Sequence, residues 1–186
     1  PDNAVKESNY RIAAALQISG YKLPGKRITI NLAPADLRKE GSAYDLPIAI
    51  GILSASGQIQ PKRLDSCCMM GELTLDGHLR PIKGVLPIAI QTKESGFLSL
   101  IVPKENAKEA AVVSGLSVYG FDHIKDIISF LEGHDFPSEK IDLQVEFEKK
   151  QYYGLDFSDV KGQQSIKRCM EIAAAGGHNI ILIGPP

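Results

Sequence analysis

The apolar run Ile180-Ile181-Leu182-Ile183 leaves directly into Gly184-Pro185-Pro186. A buried parallel strand ending in glycine is the setting in which a phosphate-binding loop begins. In Gly-x-x-x-x-Gly-Lys-Ser/Thr, loop amides and the next helix N-terminus cradle the phosphates and the lysine neutralises them. Gly184 would be the first glycine, and the second glycine, the lysine and the hydroxyl residue would follow Pro186. The 186 residues are therefore expected to turn over no nucleoside triphosphate by themselves. The alternative is a core strand that simply leaves into a turn.

Other side chains invite a catalytic reading and carry less. Glu72 and Asp76 could act as paired carboxylates, yet both fall on a strand and hairpin where water alone satisfies them. His78, His123, His134 and His178 stand singly, without metal-ligand spacing on a helix. Cys67 and Cys68 are adjacent and Cys169 is alone, which fits neither a disulfide framework nor a zinc site, so all three are expected to be small core residues. Lys22, Lys26, Arg27, Arg38, Lys39, Lys62 and Arg63 could gather into a face for DNA phosphates or be solvated surface.

Composition narrows the classes. Basic residues number 21 against 22 acidic, a net charge of -1, so no global field draws the chain to nucleic acid or an anionic membrane. Hydrophobic residues at 44% and charged residues at 23% are those of an ordinary globular domain. No apolar run approaches the roughly 18 residues of a membrane span, and nothing reads as a signal peptide, so no membrane association and a cytoplasmic location are expected. Pro1 in place of methionine, and an end at Pro186 inside a motif, suggest a piece of a longer protein.

The elements that must position these residues follow from periodicity. A helix is expected from Asp2-Asn3 to Ser19-Gly20, with Val5, Ile12, Ala13 and Leu16 on its buried face and Lys6, Glu7 and Arg11 facing away. Ile28, Ile30 and Leu32 alternate with Thr29 and Asn31, the period of a half-buried strand. Ala33 to Ser42 reads as a loop. Tyr44 to Ser56 is apolar nearly all round and reads as a helix covered on most sides, the centre of the core. Next come a strand from Cys67 to Thr74, a tight turn at Asp76-Gly77, helices over 84–94 and 104–113, strands over 98–102 and 116–119, and an amphipathic helix over 124–131. This alternation predicts an α/β sandwich, α+β in detail, with helices packed on the sheet. Three segments are expected: a first domain over 1–133, a charged linker over 134–153 with an extended piece at 142–147, and the start of another domain over 154–186.

Two stretches of the first domain resemble Lon-type Ser-Lys proteases. Lys39-Glu40-Gly41-Ser42-Ala43-Tyr44-Asp45-Leu46 aligns without a gap on the run that carries the Lon nucleophile, and Ala43 occupies the nucleophile position. The run from Met70 to Leu86 aligns on the segment that ends in the Lon general base, and that position is Leu86. The resemblance implies the ribosomal-protein-S5 domain 2-like fold. Ser-Lys chemistry needs a hydroxyl to attack and an amine of lowered pKa to take its proton. Alanine and leucine supply neither, so catalytic residues of the Lon kind are expected to be absent. Ser42, one residue from the nucleophile position, is the residue that a shifted alignment would select.

The last thirty or so residues carry a second resemblance. Asp156 to Gln163, a helix over 164–175, Gly176-Gly177-His178-Asn179 and the strand ending in Gly184-Pro185-Pro186 are similar to the start of the AAA+ module in Mg-chelatase-like ATPases. With Asn31-Leu32-Ala33-Pro34-Ala35-Asp36-Leu37 and Asp45-Leu46-Pro47-Ile48-Ala49, the chain resembles the YifB/ComM family along its whole length. That resemblance implies a Lon-like domain without its dyad joined to an AAA+ motor, which uses ATP and Mg2+ in the full-length protein and assembles as a homo-hexamer. It implies DNA as the partner, with helicase and branch-migration activity; a protein-remodelling or peptidase-related role is the alternative. By the same resemblance Val160 and Gly162 would lie by the adenine and Gly184 in the phosphate loop, with no nucleotide expected on these residues alone. Packing on the motor is the other reading of Phe157 and Val160.

Overall fold

Strand β4 (Ser99–Pro103) is the middle of a three-stranded parallel sheet, between β1 (Cys67–Met69) and β5 (Ser117–Phe121). Cys67 pairs with Ser99, and Ser99 with Ser117, so the three strands start level. Two further strands, β2 (Glu72–Leu73) and β3 (Leu79–Arg80), make a separate antiparallel ribbon. The computed structural model describes residues 3–30, 42–142 and 156–184. The chain divides into two units, Pro1–Ile141 and Asp142–Pro186.

The sheet of the first unit is buried on both faces, which is why β4 reads as a continuous apolar run. Ile101 points into a cluster with Ile12, Leu16, Leu46, Ile50 and Ile127, while Leu100 and Val102 point into an opposite cluster with Val85, Ala89, Ala107 and Val118. Helices α1 (Asn3–Ile18), α2 (Asp45–Ala55) and α5 (Ile124–Glu132) supply the first cluster. Helices α3 (Val85–Glu94) and α4 (Lys104–Ala110) supply the second. In α5 the buried residues Ile124, Ile127, Ile128 and Leu131 recur at the spacing of one helical face. The architecture is the expected α/β arrangement of helices packed on a sheet.

Several expectations change on contact with the structure. The strand predicted from Cys67 to Thr74 divides at Met70. The Met70 N–H still reaches the Ile101 carbonyl of the sheet at 3.0 Å, whereas the Gly71 N–H turns to the Ala43 carbonyl at 2.8 Å. Arg27 to Ile30 joins no sheet, and Ile28 and Ile30 are 42% and 43% exposed. Period-2 patterning makes a strand only where a neighbour supplies the ladder, and no described residue does so here. Residues 31–41 lie outside the described residues. Of the cysteines, Cys67 is buried and its thiol is pushed up by that burial, but Cys169 is exposed. Of the stretch 134–153, residues 134–142 are described. Phe136 packs edge-on against Phe121 with ring centroids 5.2 Å apart, and Glu139 donates its N–H to the Val118 carbonyl at 2.8 Å.

In the second unit a 3-10 turn (Phe157–Asp159) precedes α6 (Gln164–Gly176). Ile180 to Ile183 is not a strand, and Ile181 and Ile183 are 81% and 91% exposed. A parallel strand needs partners on its flanks, and no other strand is present among the described residues of this unit. No helix among the described residues is long and apolar enough to cross a membrane.

The tightest approach in the sheet layer is at Gly120 of β5. A Cβ there would lie 2.6 Å from the Ala107 Cβ and 3.1 Å from the Lys104 Cα, so α4 would have to move off the strand. Gly120→Ala is expected to lower stability by about 2 kcal/mol, measured by urea denaturation. An unchanged midpoint would show that the α4–β5 contact is looser than described.

Candidate functional site

Asp45 opens α2, a helix otherwise built almost wholly of apolar residues, and it is 1% exposed. Burying a carboxylate is costly unless donors replace its water. Four arrive from two directions. From α1, Ser8 Oγ donates to Oδ1 at 2.5 Å, Arg11 Nε to Oδ2 at 2.8 Å and Arg11 Nη2 to Oδ1 at 3.3 Å. From β2, the Leu73 N–H donates to Oδ2 at 3.4 Å. The start of α2 also places its helix dipole favourably for the charge. Arg11 is thus held charged above its ordinary range, chiefly by its hydrogen bond to Asp45 and against partial desolvation, with Asp45, Glu72 and Glu7 adding Coulombic pull. Periodicity expects Arg11 to face away; the buried carboxylate turns it inward.

Beside this pair lie the two Lon-like stretches. Ser42 and Ala43 form the 3-10 turn before α2. The Ala43 carbonyl accepts from Gly71 N–H at 2.8 Å, and the Leu46 N–H donates to the Gly71 carbonyl at 3.1 Å, so the two stretches are joined through their backbones. A Cβ on Gly71 would stand 2.9 Å from Leu79 Cδ2 and 3.4 Å from Leu46 Cδ2, so the end of the Leu79 side chain would have to shift. Ser42 Oγ donates to Glu72 Oε2, and Arg80 Nη1 stands 4.0 Å from Glu72 Oε1. Glu72 is therefore a partner of Ser42 and Arg80 and not a member of a carboxylate pair with Asp76. Leu86 is on the second residue of α3, with its N–H donated to Glu109 at 3.1 Å. The loop before it is clamped by Asn106, whose side chain accepts from Ile82 N–H at 2.9 Å and donates to the Ile82 carbonyl at 3.0 Å.

The chemistry open to this arrangement is restricted. Neither Ala43 nor Leu86 can attack or take a proton. Ser42 offers a hydroxyl, but its partner is a carboxylate beside two arginines and not a lowered-pKa amine. The sequence signals for the cluster were a lone aspartate at the head of an apolar helix and an arginine one turn from the apolar stripe of α1.

The hairpin that carries Glu72 has its own polar lock. Asp76 accepts from Thr74 Oγ1 and sits 3.2 Å from His78 Nδ1. His78 and His123, far apart in sequence, meet at 4.8 Å between ring centroids. His123 Nδ1 accepts the Lys125 N–H at 3.1 Å and its Nε2 lies 3.2 Å from the Asp76 carbonyl oxygen, so both nitrogens are committed. The hydrogen bond from Thr74, with those from His78, holds the Asp76 carboxyl down to about 2. A depressed carboxyl stabilises the fold above its unfolded value near 3.8, and that contribution is lost as pH falls towards about 2.

In the second unit, Asp156 and Asp159 close a reciprocal cap. The Ser158 N–H donates to Asp156 Oδ1 at 2.7 Å and the Asp156 N–H to Asp159 Oδ2 at 2.9 Å; the first of these holds the Asp156 carboxyl below its usual range. Val160 is 42% exposed and its carbonyl accepts from Lys167 Nζ. Gly162 and Gln163 both take left-handed backbone, with φ of 69° and 54°. For Gln163 this is a local strain of about 1 kcal/mol. Gly184 is exposed.

Two outcomes test the site. Arg11→Met leaves Asp45 buried without its main partner and is expected to cost on the order of 3 kcal/mol, most of it recovered when Asp45→Leu is added. A double-mutant cycle in urea measures this, and purely additive losses would contradict it. An NMR pH titration should find the Asp76 carboxyl titrating near 2, with Thr74→Val bringing it back towards an ordinary aspartate; a wild-type midpoint near 4 would refute the lock.

Comparison with known proteins gives this geometry a family. The profile described as subunit ChlI of Mg-chelatase matches residues 1–106, and that of magnesium chelatase, subunit ChlI, matches residues 156–186. The competence protein ComM of Haemophilus influenzae is 44% identical over 100% of this chain and 37% of its own length. Protein YifB of Escherichia coli is 44% identical over 100% of this chain and 36% of its own length. The chain thus spans little more than a third of these relatives. Lon protease 2 of Bacillus subtilis is 26% identical over 78% of this chain and 26% of its own length. With a Lon-like α/β domain first and a chelatase-like segment after it, the chain belongs to the YifB/ComM family of Mg-chelatase-like AAA+ proteins.

Proposed function

We propose that the chain is the front part of an ATP-driven motor that acts on DNA, and that its Lon-like unit serves the motor without cutting peptides. The observation that carries the reading is the 44% identity along the whole chain to a relative named for competence. Alanine and leucine at positions 43 and 86 support the second half, because the two Lon-like stretches meet through their backbones at Ala43 and Gly71 but lack both reacting groups.

In this reading the full-length protein binds ATP with Mg2+. Val160 and Gly162 hold the adenine, and Gly184 begins the loop around the phosphates. The turn at Asp156–Asp159 fixes the approach of Val160 through its two backbone-to-carboxylate bonds. The left-handed pair Gly162-Gln163 then directs the chain into α6. ATP supplies the free energy, and a homo-hexameric ring in the cytoplasm transmits it to DNA as strand separation or branch migration.

ATP hydrolysis by the full-length protein, with and without single-stranded and branched DNA at several salt concentrations, tests this. DNA should stimulate turnover, and the stimulation should weaken steeply with salt, as phosphate contacts do. Val160→Asp should raise KM for ATP about tenfold while leaving the first unit folded. Turnover stimulated by a protein partner and indifferent to DNA would move the chain to the remodelling alternative.

A further inference from the structure

We infer that residues 134–139 form a strap that closes over the outer edge of β5, is clipped there by Arg63, and opens as one piece while the rest of the first unit stays folded. Sequence alone makes this stretch part of a charged linker, and it lies between the residues that the two family profiles match, 1–106 and 156–186. The structure docks it instead. Gly133 ends α5 in left-handed backbone, with φ of 115°, and turns the chain back towards the sheet. Phe136 then meets Phe121 and Phe130 with ring centroids 5.2 and 6.3 Å apart, joining a pair that are themselves 5.7 Å apart. Farther on, the Glu139 N–H reaches the Val118 carbonyl at 2.8 Å, an antiparallel contact on the edge of β5 away from β4.

Arg63 gathers the turn. Its Nη2 donates to the Gly133 carbonyl at 3.4 Å and to Asp135 Oδ1 at 2.9 Å, and its Nη1 to the His134 carbonyl at 3.5 Å. The guanidinium also lies 4.9 Å from the centroid of the Phe130 ring. One planar fork thus serves three consecutive residues and stacks on a ring that Phe136 also meets. A lysine supplies neither the fork nor the stacking plane.

That the strap opens by itself follows from how little holds it. Asp135 is 94% exposed, so its pair with Arg63 is weak and screened by salt. Phe136 is the one apolar side chain that the strap lays on the core, and it is only half-buried. The antiparallel register sets Pro137 opposite Gly120, and proline has no N–H to lend a further rung. Phe130 and Leu131, just before the turn, are by contrast 1% and 0% exposed. Segments with so few buried contacts open well below the free energy of global unfolding. An open strap gives about 20 Å of extended chain to the stretch that leads to the second unit. The inference stands whether or not the motor acts on DNA.

Native-state hydrogen exchange on the full-length protein, read by mass spectrometry, tests it. The Glu139 amide should exchange about tenfold more slowly than unstructured backbone, yet about tenfold or more faster than the amides of Ile128 to Leu131. Arg63→Lys and Phe136→Ala should each remove the Glu139 protection and leave that of α5 and β4 unchanged. An unprotected Glu139 amide in the wild type, exchange there as slow as in α5, protection untouched by either variant, or losses spread equally through α5 and β4 would each overturn the inference.

Discussion

The buried carboxylate of Asp45 is the constraint on which the first unit depends. It sits at the head of the most apolar helix among the described residues and is 1% exposed. Its charge is tolerable only if α1 brings Ser8 and Arg11 and the ribbon brings the Leu73 amide. Three elements distant in sequence are thereby fixed around one residue. An apolar residue at this position could pack as well, but it would specify neither the rotation of α1 nor the approach of β2. Replacing a buried ion pair by apolar residues of similar volume is often neutral or stabilising, whereas removing one partner alone is costly.

Around that anchor the two Lon-like stretches are tied together through their backbones. Gly71 meets the turn at Ala43, and Asn106 clamps the loop that leads into α3 and Leu86. The hydroxyl that remains nearby, Ser42, is bonded to Glu72 within reach of the same cationic environment. Ala43 and Gly71 serve backbone pairing here, and Ser42 and Glu72 serve polar closure. The second unit has a different character: its features are a capped turn, a left-handed pair and an exposed helix.

Local patterning made much of this fold legible. The spacing of Ile124, Ile127, Ile128 and Leu131 marked α5, the apolar run around Ile101 marked a strand, and Asp76-Gly77 marked the ribbon turn. What could not be read was pairing between distant residues. Arg11 with Asp45, Ser42 with Glu72, and His78 with His123 depend on how α1, α2, the ribbon and α5 come together, and no periodicity encodes that. Ile28–Ile30 and Ile180–Ile183 failed as strands for a related reason. Their side chains alternate or cluster correctly, but a strand exists only with its neighbour.

If Ala43 and Leu86 leave the Lon-like unit without a nucleophile and base, no serine in it should be activated. Treating the native chain with a serine-directed fluorophosphonate and mapping the modified peptides by mass spectrometry should then give no adduct at Ser42, whose hydroxyl is bonded to the Glu72 carboxylate and not to an amine. A stoichiometric adduct at Ser42 that disappears on denaturation would contradict it, and would place a working nucleophile one residue from Ala43.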